Sequence, residues 1–167
     1  MKRRFDSVDL LEMTAMEAAN LSEIARISAY VNKELIGILY GRVIPPIFKV
    51  YGSRLFYEKS TDDDICFDRE ESCIRNLRRK KTGYEFLLYH THPDESIKPS
   101  PGDLKTAHVG DIEVIGQAER VGVGLWRFKK FSGVTKGSLI AYRVCIGDDK
   151  KLSYEEIPIK TSSLFIS

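Results

Sequence analysis

Cysteine is scarce and unpatterned. The 167-residue chain has three, Cys66, Cys73 and Cys145, and no two form a CxxC pair. An odd count without a secretion signal argues for reduced thiols in a cytoplasmic protein, read as small core residues, and Cys66 to Cys73 is not a usual metal spacing. Long apolar runs are also missing: 35–36, 38–40 and 86–89 fall far short of the roughly 18 residues that cross a bilayer, so no membrane span is expected. The basic start, Lys2-Arg3-Arg4, is followed by Asp6, Asp9 and Glu12 where a signal peptide needs an apolar core, which argues against export. Neither sign of charge dominates. Lys and Arg number 26 against 24 Asp and Glu, a net charge of +2, so a nucleic-acid partner is not expected. The length excludes an eight-fold βα barrel, which needs about 250 residues, and with it the barrel enzymes that carry His-x-His on their first strand.

What remains is an ordinary globular composition, 43% apolar and 30% charged, enough for a single domain over 1–167 with its own core. Thr14-Ala15-Met16-Glu17 has the form of a capping box, and Ala18, Leu21, Ile24, Ala25 and Ile27 to Ala29 follow at helical spacing, which predicts a helix over 14–32. Residues 35–44 read as a buried strand stopped by Pro45-Pro46, and 47–57 as a second. An amphipathic helix over 68–81 closing at Gly83, a strand over 84–92 and a short helix over 102–108 come next. Strands near 111–117, 120–128, 138–147 and 152–159 complete the pattern. This order predicts an α/β or α+β domain around one mixed sheet.

Only three histidines occur, and two of them, His90 and His92, lie two apart at the end of a predicted strand, where alternate side chains share a face. Asp103 follows after Pro93 and Pro99-Ser100-Pro101-Gly102 turn the chain back, so its carboxylate can join the two imidazoles. Two nitrogens and one oxygen suit a zinc ion with one position open, the catalytic rather than the structural pattern. Water held at such an ion is acidified toward a pKa of about 7. Taken singly, Ser100-Pro101-Gly102-Asp103 is also a helix cap with proline at its first position, and a His-x-His pair is as often two hydrogen-bonded rings. The cap accounts for only the last two of the four polar positions at these intervals.

The run HTHPDESIKPSPGD, residues 90–103, resembles the signature of the JAMM (MPN-plus) zinc metalloproteases: His-x-His, seven residues, Ser, two residues, Asp. The upstream ELIGILYG, residues 34–41, is similar to the same family's Glu-x-x-Gly-x-Leu-x-Gly, and the resemblance extends over about 10–147. It implies a cytidine-deaminase-like domain, a curved mixed sheet flanked by helices. It also implies Zn2+ as cofactor, His90, His92 and Asp103 as its ligands, Glu34 as the general base, and Ser100 as the hydrogen bond to the oxyanion. The implied activity is hydrolysis of an isopeptide or peptide bond at the C-terminus of a ubiquitin-like modifier or sulfur-carrier protein, whose extended tail would lie along a sheet edge. Short connections are similar to compact prokaryotic and archaeal members.

Three other readings remain at this point. A RadC-like protein linked to DNA repair shares His-x-His-Pro and Ser-x-x-Asp, but the Glu34 motif and near-neutral charge argue against it. Two histidines and a carboxylate also make the facial triad of an iron oxygenase. A catalytically silent MPN scaffold would be an interaction module, although such members usually lack these ligands. Among the remaining residues, His108 reads as a surface histidine, Arg75 to Lys81 as a solvated helix end complementing the dipole, and Gly122-Val123-Gly124 with Trp126 as a packed strand.

Overall fold

Thr14 ends one strand and starts the first helix. In a computed structural model that describes residues 5–58, 83–93, 96–126, 129–134 and 137–163, β1 (Leu10–Thr14) runs directly into α1 (Ala15–Val31). The Thr14 hydroxyl accepts the Glu17 amide at 3.0 Å, satisfying one of the orphan donors of the first turn. Leu21, Ala25, Ser28 and Ala29 form the buried stripe of α1, while Ile27, expected on that stripe, stands exposed. The helix stops at Asn32, whose φ of 54° is the left-handed conformation asparagine tolerates. The chain thereby turns back into β2 (Leu35–Ile44), which pairs antiparallel with β3 (Ile47–Glu58). Register shifts fall between Ile36 and Gly37 and between Tyr40 and Gly41. A Cβ at Gly37 would overlap the Arg54 carbonyl, and one at Gly41 the Lys49 carbonyl, so both glycines are required by the close approach of β3.

The expected strand over 84–92 is β4 (Glu85–Pro93), and the short helix is α2 (Pro101–Thr106), which starts one residue and ends two residues before the expected 102–108. β5 (Ile112–Ala118), β6 (Arg120–Trp126), β7 (Lys129–Val134), β8 (Ser138–Ile146), β9 (Leu152–Ile157) and β10 (Ile159–Ser162) follow. Eight of these strands form one mixed sheet in the order β10-β1-β3-β2-β4-β5-β8-β9; β6 and β7 form a separate hairpin, so the described residues hold two sheets where one was expected. The fold class is α+β. The segment read as one strand over 152–159 is divided at Pro158 into β9 and β10, which occupy opposite ends of the sheet order. One residue bridges the two ends, so the sheet is curled until its edges meet. The Pro158 carbonyl accepts the Leu11 amide at 3.0 Å, and Arg143 of β8 donates to the carbonyls of Phe5 and Val8 across the same seam.

The predicted helix over 68–81, its basic cluster, Cys66 and Cys73 lie outside the described residues. Among those described, no helix is long and apolar enough to cross a membrane.

The pleat gives the sheet two unlike faces. Leu39, Phe48, Val50, Leu87, Tyr89, Val114 and Ala141 pack with Leu21 of α1 into the main core. Tyr89 reaches over Gly116 to donate to the Leu21 carbonyl at 2.8 Å, tying helix to sheet. The other face carries Ile115, Ile140, Tyr142 and Val144, covered by Ile97, Leu104 and Ala107 from the segment around α2. That covering segment carries Asp103 to the sheet.

Candidate metal centre

His90 and His92 alternate with Thr91 along β4, so both imidazoles face the α2 side and the threonine faces α1. Both rings are buried, at 3% and 4% exposure. Packing of Ile97 and Leu104 onto the sheet brings the start of α2 over them. His90 Nε2 and His92 Nε2 lie 3.1 Å apart, His90 Nε2 is 3.3 Å from Asp103 Oδ1, and His92 Nε2 is 3.2 Å from Asp103 Oδ2. Zn–ligand bonds of 2.0–2.1 Å at tetrahedral angles separate ligand atoms by about 3.3–3.4 Å. The two nitrogens lie near that spacing, each meets a different Asp103 oxygen, and one ligand atom from each of the three residues lies within 4.8 Å of the others, so the group can hold a metal ion.

Each donor is fixed from behind by a different device. His92 Nδ1 lies 2.7 Å from the Ser96 carbonyl, an acceptor that requires the proton on Nδ1 and leaves the Nε2 lone pair facing the cluster. Asp103 is the third residue of α2 and forms a reciprocal capping box with Ser100. Its amide donates to Ser100 Oγ at 3.2 Å, and its Oδ2 accepts from the Ser100 amide at 2.7 Å. Ser100 Oγ also donates to Oδ2, again at 2.7 Å. Cap and cluster are therefore one geometry: the capping box that starts the helix also brings the Asp103 carboxylate to the two imidazoles. Burial pushes the Asp103 carboxyl upward, but hydrogen bonds from the His90 and His92 rings when these carry both protons, the charge of His90 and the Ser100 hydroxyl outweigh it and hold the group well below the usual carboxylate range.

Glu34 sits half-buried at the entry to β2. Ile36 pairs with His90 where the antiparallel register of β2 and β4 begins, so Glu34 lies two residues before the residue opposite the first histidine. A chain of buried hydroxyls holds the backbone on either side of it. The Leu35 amide donates to Thr91 Oγ1 at 2.8 Å, Thr91 Oγ1 donates to Ser28 Oγ at 2.6 Å, and Ser28 Oγ donates to the Lys33 carbonyl at 2.6 Å. The residue between the two histidines thus anchors the segment that presents the glutamate. Sequence reasoning missed Thr91 and Ser28.

It also missed Glu113. This residue is 7% exposed on β5, and its Oε2 accepts from the hydroxyl of Tyr142, its cross-strand partner on β8, at 2.7 Å. The same oxygen lies 4.0 Å from His90 Nδ1. Burial pushes the Glu113 carboxyl above its ordinary range, against the opposing pull of Tyr142 and His90. The signal was legible: an acid flanked by Ile112, Val114 and Ile115 in a strand buried on both faces needs a polar partner. His108 is exposed beside Asp111, 3.5 Å from its carboxylate and outside the cluster, as the sequence indicated.

No protein-family model and no curated protein matches the chain. Solved structures do. A solution structure of a structural-genomics protein from Desulfitobacterium hafniense is 20% identical with a TM-score of 0.56, covering 91% of this chain and 94% of its own. Another, from Salinibacter ruber, is 15% identical with a TM-score of 0.53, covering 90% of this chain and 91% of its own. These likenesses concern the fold.

Proposed function

We propose that the protein is a zinc metallopeptidase similar to the JAMM (MPN-plus) family, with a cytidine-deaminase-like domain, acting on the C-terminal peptide or isopeptide bond of a ubiquitin-like modifier or sulfur-carrier protein. The observation that carries this reading is the convergence of two imidazole nitrogens and the Asp103 carboxylate, with contacts of 3.1–3.3 Å, at the buried β4 strand. His90, His92 and Asp103 would hold the ion, which when bound supplies Lewis acidity toward a carbonyl and acidified water.

The remaining chemistry belongs to the chain. Glu34 takes the proton from the attacking water and returns it to the leaving amine, a task suited to a half-buried carboxylate near a cation. Ser100 keeps Asp103 oriented through its hydroxyl and, by rotating that O–H, donates to the developing oxyanion, a contact worth about 3 kcal/mol when pre-organised. An extended tail lying beside the strands would bring its scissile bond to Glu34.

The test is Glu34→Gln in the full chain loaded with Zn(II), assayed on a panel of ubiquitin-like proteins fused at their C-termini to a reporter. The variant keeps wild-type metal content and loses cleavage by at least a hundredfold. Equal turnover removes Glu34 from the mechanism, and a wild-type protein that cleaves none of the fusions contradicts the peptidase reading. Because two histidines and a carboxylate also suit Fe(II), elemental analysis of the purified protein accompanies the assay.

A further inference from the structure

The two histidines of the cluster are supported unequally. His92 has its Nδ1 on the Ser96 carbonyl. His90, equally buried, has an inaccessible Nδ1 with no hydrogen-bond partner among the described residues. An imidazole that offers Nε2 to a metal must carry its proton on Nδ1, and a buried N–H without an acceptor is destabilising. The polar atom that answers this need is Glu113 Oε2, 4.0 Å away.

We propose that Glu113, tethered by Tyr142, is the positioning residue that accepts the Nδ1–H of His90 and so selects the tautomer in which His90 Nε2 is free for a metal. The inference rests on the metal-centre reading above and adds to it the buried pair behind the ligands. Two further observations support it. Glu113 lies on β5 beside β4, in the register that pairs Leu88 with Glu113 and His90 with Ile115, so its side chain emerges on the histidine face. Tyr142, fully buried, donates its only proton to the oxygen nearest His90, which fixes the carboxylate while leaving that oxygen a second lone pair. A bridging water would need roughly 4.5 Å between the two heavy atoms, given its tetrahedral angle and hydrogen bonds of about 2.8 Å. The observed gap is too short for a water and about 1 Å too long for a direct bond, so the contact requires a side-chain shift of about 1 Å. An internal Glu–Tyr pair that served packing alone would not need its carboxylate aimed at an orphaned ring nitrogen.

The experiment compares full-length wild-type protein with Glu113→Gln and Tyr142→Phe. Zn(II) affinity is measured by chelator competition, and the imidazole tautomer of His90 in the metal-free chain by long-range 1H–15N correlation. Wild type shows Nδ1–H on His90. Glu113→Gln shows a mixed tautomer and binds Zn(II) ten- to a hundredfold more weakly, the usual effect of removing a ligand's outer partner. Tyr142→Phe keeps the carboxylate, loses its tether and shifts both readouts in the same direction by a smaller factor. Unchanged affinity, or an unchanged His90 tautomer, in either folded variant overturns the proposal. A wild-type chain that binds no Zn(II) overturns the metallopeptidase reading alone, and the tautomer of His90 then still decides whether Glu113 orients the ring.

Discussion

Thr91 lies between the two histidines yet faces the opposite side of the sheet, which makes it a clean point at which to separate scaffold from candidate metal site. Thr91→Val conserves shape and removes the hydroxyl from a buried chain that runs from the Leu35 amide through Thr91 and Ser28 to the Lys33 carbonyl. The Leu35 amide is left buried without its acceptor, while Ser28 keeps the Lys33 carbonyl. An orphaned buried donor costs about 1–3 kcal/mol. With a urea m-value of about 2 kcal/mol/M for a chain of this size, a loss near 2 kcal/mol lowers the unfolding midpoint by about 1 M. The decisive readout is local: hydrogen exchange at the Leu35 amide accelerates at least tenfold in Thr91→Val and stays slow in Thr91→Ser, which retains the hydroxyl. Zn(II) affinity changes little, because His90 and His92 face away from the substitution. A Thr91→Val protein within 0.5 kcal/mol of wild type, with Leu35 still protected, would refute the claim that this chain holds the Glu34 segment.

Two further outcomes follow from the packing and charges of the site. In Gly116→Ala the new methyl overlaps the Tyr89 phenol, displacing the ring from the Leu21 carbonyl at a cost of about 1–3 kcal/mol. In a Tyr89→Phe background that cost shrinks by more than 0.5 kcal/mol in a denaturation cycle, whereas strict additivity would show the overlap to be unimportant. Asp103 titrates below its unfolded value of 3.8, so in the metal-free chain its contribution to stability is complete above about pH 4 and is lost as the pH falls toward the folded value. The difference in urea midpoint between wild type and Asp103→Asn therefore narrows below pH 4, and a constant difference from pH 7 to pH 3 would contradict the assignment.

Legibility in the sequence followed the range of the interactions. The β2 segment carries its own signals, an unbroken apolar run with glycines where β3 crosses closely and two prolines at its end, and its bounds coincide with 35–44. The grouping of His90, His92 and Asp103 was legible because spacing on one strand and one capped turn almost suffices to bring them together. β1 and β10 were not recognised. They are five and four residues long and pair in parallel with each other, and their strand character arises from neighbours distant in the chain. Pro158 reads locally as a blemish in a single strand but is the point where the sheet closes on itself. Ser28 and Thr91 were passed over for the same reason: each is an ordinary helix or strand residue until its partner, 63 residues away, is known, whereas Glu113 stood out locally as an acid in an apolar strand.

The central claim is that His90, His92 and Asp103 are arranged to hold a divalent ion, and elemental analysis with Zn(II) titration of purified protein tests it most directly. The account predicts a single tightly held ion per chain in wild type and its loss in folded His92→Ala and Asp103→Ala proteins. A wild-type chain that binds no metal, or variants that retain the full complement, would contradict it.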